Sequence, residues 1–140
     1  MSSDTPMSAA AQKLVFAAFD RWSELGDIHR LSERERTFVL VWSMLGIVEN
    51  GGLAGFFDTS TAPYAKENIQ ALKTIGAANL AAVLHDANAV FDEYDASWQP
   101  HVDRPPLDDL PRMQTLQQAF NTASAGIWEQ LDRYAIAPAP

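Results

Sequence analysis

The sequence predicts an all-α fold: a single compact bundle of about five to six helices, with a long C-terminal helix. Three observations carry that expectation. Apolar residues recur at spacings of three and four along most of the chain. No stretch alternates with period two for long enough to make a strand. Gly26, Gly51-Gly52 and Gly76 stand where the periodic stretches end. At 140 residues the chain reads as one domain over residues 1–140, with 1–7 and 135–140 as flexible tails.

Ser8 is placed to cap a helix that runs to about Leu25 and stops at Gly26. Leu14, Ala18, Trp22 and Leu25, flanked by Val15 and Phe19, form its core-facing stripe. Ser32-Glu33-Arg34-Glu35 is a capping box for a second helix. Phe38, Val39, Val41, Trp42, Leu45 and Val48 cover more than half its circumference, so it is expected to be the most buried. It is expected to end at Asn50-Gly51-Gly52, residue types that accept a left-handed cap. Leu53–Asp58 reads as a short helical turn that packs Phe56 and Phe57 into the core.

Thr59-Ser60-Thr61 supplies turn chemistry, and Thr61 is placed to cap a helix with Pro63 in its first turn. That helix carries Ile69, Leu72, Lys73 and Ile75 and stops at Gly76. The next runs from about Asn79 to Phe91, with Leu80, Val83, Leu84, Ala87 and Phe91 on one side. Tyr94–Pro111 contains Pro100, Pro105, Pro106 and Pro111 and reads as an ordered but irregular connection. At about 17 residues it has the length of loops that are usually functional or disordered. Met113, Leu116, Phe120, Ala123, Ile127, Leu131 and Tyr134, widened by Trp128, predict one helix from about Met113 to Tyr134.

Composition excludes several function classes. With 47% hydrophobic residues the chain can bury a sizeable core. The absence of cysteine removes disulfides, thiolate metal sites and thiol nucleophiles. No apolar run approaches the roughly 18 residues of a membrane span, and Met1–Met7 is too polar for a signal peptide, so a cytoplasmic location is expected. A net charge of −8 argues against direct nucleic-acid binding, which needs a basic face.

That charge is uneven. Over residues 74–111, seven carboxylates against Arg104 alone leave −6. The seven are Asp86, Asp92, Glu93, Asp95, Asp103, Asp108 and Asp109. Asp92, Glu93 and Asp95 fall at or just past a helix C-terminus, where negative charge opposes the helix dipole. Local stability therefore does not explain them. They are either tolerated on a wet surface or held for a basic partner. Trp98 lies among them and either joins that surface as a hot spot or folds back over the core.

Catalytic chemistry finds no motif. His29, His85 and His101 have no ligand spacing on a helix, and His85-Asp86 with the following acids matches no metal-binding pattern. No serine sits in a nucleophile elbow. Gly51-Gly52 and Gly55 lack the lysine and the preceding strand of a phosphate loop. No catalytic residue, cofactor or metal is expected.

The stretch Glu49-Asn50-Gly51-Gly52-Leu53 followed by Phe56-Phe57 resembles the signature of a bacterial DNA-mimic-protein-like family. Its members are small all-helical domains, mostly of unknown function, with an Asn-Gly-Gly-Phe-type motif. Ile75-Gly76-Ala77 and the aliphatic run Asn79–Leu84 match its next two landmarks, so the resemblance covers roughly residues 38–91. Leu53 replaces the usual Phe. The motif residues Glu49, Asn50, Gly51, Gly52, Phe56, Phe57 and Gly76 read as caps and core.

The resemblance implies an acidic dimer whose carboxylates imitate duplex phosphates and occupy a transcription regulator's DNA-binding face. The expected partner is a basic protein, with no direct nucleic acid and no membrane. Two other readings stand beside it. One is an acidic, immunity-type interaction domain acting by shape. The other is a small-ligand or enzymatic site using a pocket near Glu49, Asn50 and the Phe pair.

Overall fold

The computed structural model describes residues 7–57 and 64–136. Over these the chain forms six α-helices, two single 3₁₀ turns and no strand. In order they are α1 (Ala9–Leu25), a 3₁₀ turn (Ile28–Arg30), α2 (Glu33–Phe57), α3 (Ala65–Thr74), α4 (Ala78–Ala96), a second 3₁₀ turn (Leu107–Asp109), α5 (Pro111–Ala123) and α6 (Ile127–Ile136).

The helix starts follow the capping chemistry of the sequence. Ser8 Oγ accepts the Ala11 N–H at 3.1 Å, and Gly26 closes α1 at φ 74° by donating to the Trp22 carbonyl. The Asp27 carboxylate accepts the His29 N–H at 2.9 Å, which lowers its pKa below the usual carboxylate value. Both bonds of the capping box are made: Ser32 N–H to Glu35 Oε1 at 3.0 Å, and Glu35 N–H to Ser32 Oγ at 3.1 Å.

The buried side of α1 departs from expectation at Leu14 alone, since Val15 and Ala18 are buried and Phe19, Trp22 and Leu25 pack against the core. Ala11, Val15 and Ala18 face the core, while Leu14 points out at 44% exposure. Leu14-Val15-Phe16 is apolar throughout, so spacing alone did not select the face. The alanines let α1 lie close to α2 and α6, and Phe16 instead packs edge-on against Trp42 at 5.5 Å.

α2 is the hub and packs against each of the other five α-helices. Within its 25 residues an 18-residue stretch has a mean hydropathy of 1.4, so by length and composition alone α2 could cross a membrane, contrary to the sequence expectation, and half of that stretch is buried in the bundle. Its buried residues, from Thr37 to Leu45 and on to Phe57, face the bundle. The helix bends at Gly52, whose φ of 71° and ψ of −179° belong to a region essentially restricted to glycine.

The expected left-handed cap over Asn50-Gly51-Gly52 does not form, and positive φ is confined to Gly52 in an extended conformation inside the helix. Asn50 and Gly51 remain helical, and Asn50 Nδ2 bonds back to the Gly46 carbonyl at 3.0 Å. After the bend, Leu53, Phe56 and Phe57 are buried. The leading N–H of this second run, on Leu53, donates to Gln117 Oε1 of α5 at 2.6 Å. Phe57 stacks on Phe91 of α4 with ring centres 5.0 Å apart. The turn residues from Asp58 to Pro63, Thr61 among them, lie outside the described residues.

Gly76 (φ 90°) ends α3 in a Schellman motif. Ala77 N–H bonds to the Leu72 carbonyl at 2.8 Å, and Gly76 N–H to that of Lys73 at 3.1 Å. α4 follows at once. It buries Leu80, Ala81, Leu84, Ala87 and Val90 and continues past Phe91 to Ala96. The intervening Asp-Glu-Tyr-Asp carries charge but no helix breaker.

The expected long C-terminal helix is two. Ser124-Ala125-Gly126 separates α5 from α6, with Gly126 at φ 76°. The three-and-four spacing runs unchanged from Phe120 through Ala123 and Ile127 to Leu131, so periodicity does not register the break. α6 is tied back at three points. Gln130 Nε2 donates to the Gly76 carbonyl at 3.2 Å, Arg34 donates to the carbonyls of Tyr134 and Ala135, and Ser8 donates to Asp132 Oδ1 at 2.7 Å. Met7 and Ala135, assigned to the tails from sequence, are buried, and α6 reaches Ile136.

A Cβ at Gly52 would stand 3.0 Å from Gln117 Oε1 on a backbone that L-residues avoid. Gly52→Ala is expected to lower unfolding free energy by about 1–3 kcal/mol. Gly51 is helical with open space at its Cβ, so Gly51→Ala should be neutral or stabilise by up to about 1 kcal/mol. Urea unfolding of the two variants measures the contrast.

Candidate partner-binding surface

The acidic segment occupies the last turns of α4 and the connector to α5. Asp86, Asp92, Glu93 and Asp95 project from α4, and Asp103, Asp108 and Asp109 from the connector; all seven are exposed. Because α4 runs to Ala96, Asp92, Glu93 and Asp95 lie inside its final turns rather than beyond them. No basic residue shares the last turn. Each carboxylate there faces the negative end of the helix dipole, at a cost of a few tenths of a kcal/mol.

The connector is shorter and better built than a 17-residue loop. Its first residues belong to α4, and the 3₁₀ turn at Leu107–Asp109 anchors its far end by burying Leu107. Between them Arg104 acts as a clasp. Its guanidinium lies 3.7 Å from the centre of the Tyr94 ring and donates to the Tyr94 carbonyl and, at 3.3 Å, to Ser97 Oγ. The Tyr94 hydroxyl donates to the Pro105 carbonyl at 3.0 Å. His101 turns the chain at φ 70°.

The clasp has an electrostatic consequence. The one basic side chain within the acidic segment is engaged with a ring, a carbonyl and a hydroxyl, not with a carboxylate. Arg112, one residue past the segment, reaches Glu93 at 2.8 Å on the surface. Among the described residues, Glu93 is the only one of the seven paired with arginine or lysine; Asp86 lies 3.4 Å from His85.

These contacts also place the acids. Tyr94 with Arg104 and Pro105, Glu93 with Arg112, and the Asp108 carbonyl with Gln114 draw the end of α4, the connector and the start of α5 together. Asp86 stands about two turns back along α4 and shares a strip with Glu93, about 20° apart in helical projection. Asp92 and Asp95 project from other strips, Asp92 about 100° from Glu93. The carboxylates therefore surround the end of α4 and do not line a single strip. Trp98 stands among them at 61% exposure and Val102 at 59%, so Trp98 does not fold back over the core.

The motif residues sit elsewhere. Phe56 and Phe57 are core, Gly52 and Gly76 hold two of the positive-φ backbone turns, and Glu49, Asn50 and Gly51 are exposed. Arg104, Arg112 and Gln117 carry contacts that sequence reasoning missed. Pro111 at the start of α5 marks Arg112 as a first-turn residue, but nothing local points to its partner 19 positions away.

The family model of the DMP19-like proteins matches residues 29–137. No curated protein and no solved structure matches the chain.

Arg104→Ala is expected to release the connector. Amide exchange over residues 97–106 should accelerate, with a loss of about 1–2 kcal/mol in stability. Arg104→Lys should not restore protection, because an ammonium lacks the planar fork that stacks and donates together.

Proposed function

The chain belongs to the DMP19-like family, and we propose that it works without catalysis, as a DNA mimic whose acidic surface occupies the DNA-binding face of a transcription regulator or another basic protein. One observation carries this reading. Seven exposed carboxylates lie along α4 from Asp86 onward and along the connector after it, and among the described residues a single arginine pairs with them. Asp86 to Asp95 sets four carboxylates along about 13 Å of helix axis. Counted along the axis and around the helix, not along one strip, that is about one charge per 3–5 Å, against one per about 3.4 Å on one strand of duplex DNA. A homodimer would double the array. A cytoplasmic setting follows from a regulator as partner.

The exposure of Trp98 favours a second reading, in which a partner is held by shape around that ring. An enzymatic role centred on Glu49 would call for a desolvated carboxylate, and Glu49 is exposed.

Affinity capture from the native host at low and high salt, with three forms of the protein, separates these readings. The mimic is expected to capture a basic DNA-binding protein that salt releases. Asp92→Asn, Asp95→Asn and Asp103→Asn combined should abolish that capture. Capture that survives neutralisation but fails in Trp98→Ala would support recognition by shape. Capture of no basic protein would undercut mimicry.

A further inference from the structure

The bend at Gly52 opens a concavity of about 390 Å³ between α2, α5 and the start of α6. Glu49, Gln117, Asn121 and Ser124 supply its polar wall, and Phe120 and Trp128 line it with apolar surface. Both ends of the Gln117 amide are engaged: Oε1 accepts the Leu53 N–H, and Nε2 donates to Asn121 Oδ1 at 2.9 Å. The Glu49 carboxylate forms no ion pair among the described residues, and no lysine or arginine lines the concavity.

The backbone adds to this negative character. The first run of α2 ends at the bend, and α5 ends beside Ser124. Two helix C-terminal ends, each with partial negative charge, therefore converge on the concavity, and the N-terminal end of α6 offsets one of them. A recess with one carboxylate outside any ion pair among the described residues, the Ser124 hydroxyl and an indole wall suits a positive head on an apolar stem.

We infer that this concavity binds a small organic cation, a guanidinium or primary ammonium group on a short aliphatic stem. The head pairs with Glu49 at the mouth, and the stem lies against Phe120 and Trp128. The site is independent of the acidic segment, so its failure would leave the mimic reading untouched, and the converse holds too. The same head group could arrive as a free amine or as an arginine side chain of a protein.

Calorimetric titration of the full chain with agmatine, N-acetyl-arginine amide and butyrate tests the site. Agmatine is expected to bind saturably with a dissociation constant on the order of 1 mM. Glu49→Gln, a change at an exposed position, should weaken it roughly tenfold or more. Asp92→Asn should leave it unchanged, which separates the concavity from general attraction to an acidic surface. Butyrate should give no binding. Agmatine binding alone identifies a free amine as the ligand class, and comparable binding of the arginine amide identifies a protein side chain. No saturable binding of either cation, equal affinity in Glu49→Gln, or binding of butyrate would overturn the inference.

Discussion

The fold depends on one backbone geometry, the extended positive-φ conformation of Gly52 in the middle of the hub helix. A straight helix of this length would reach about 37 Å. The bend instead divides α2 into a long run and a short one, and the short run buries Leu53, Phe56 and Phe57. Such a bend exposes an N–H that has lost its helical partner, and burial without a partner would cost about 1–3 kcal/mol. Gln117 supplies that partner from α5 at 2.6 Å. The Asn-Gly-Gly motif and the fifth helix are therefore one structural unit. The glycine permits the bend, and the glutamine satisfies it.

What the sequence made legible was local chemistry. Ser8, the Ser32–Glu35 box, Gly26 and Gly76 act through groups within five residues of themselves, and each does in the structure what its residue type requires. The misreadings arose where two signals competed. Leu14-Val15-Phe16 offers three apolar faces, and only the close approach of α1 to its neighbours selects Val15. The break at Gly126 leaves the apolar spacing intact, so the periodic signal overrode the glycine. At the end of α4 the apolar stripe stops at Phe91, but Asp92 to Asp95 include no helix breaker, so the helix continues to Ala96.

The candidate surface divides the same way. That its carboxylates are solvated could be anticipated from residue type, and their concentration from simple counting. Their electrostatic freedom could not, because it depends on where Arg104 and Arg112 go. Arg104 lies inside the acidic run yet binds the Tyr94 ring and carbonyl, while Arg112 crosses to Glu93. Contacts between helices set that outcome, and one chain read in order does not display them.

Acids around the end of α4 oppose its dipole and repel one another, so they contribute little to holding the bundle together. The clasp at Tyr94 and the buried Leu107 hold the connector in place without neutralising those acids. Together these features fit a surface kept negative for something outside the chain. The most direct measurement is competition, with labelled operator DNA titrated into a preformed complex of this protein and any DNA-binding regulator recovered by the affinity capture. DNA mimicry predicts mutual exclusion, with the protein released as DNA binds and no ternary complex at any ratio. A stable ternary complex, with DNA and protein bound to the regulator at once, would contradict it.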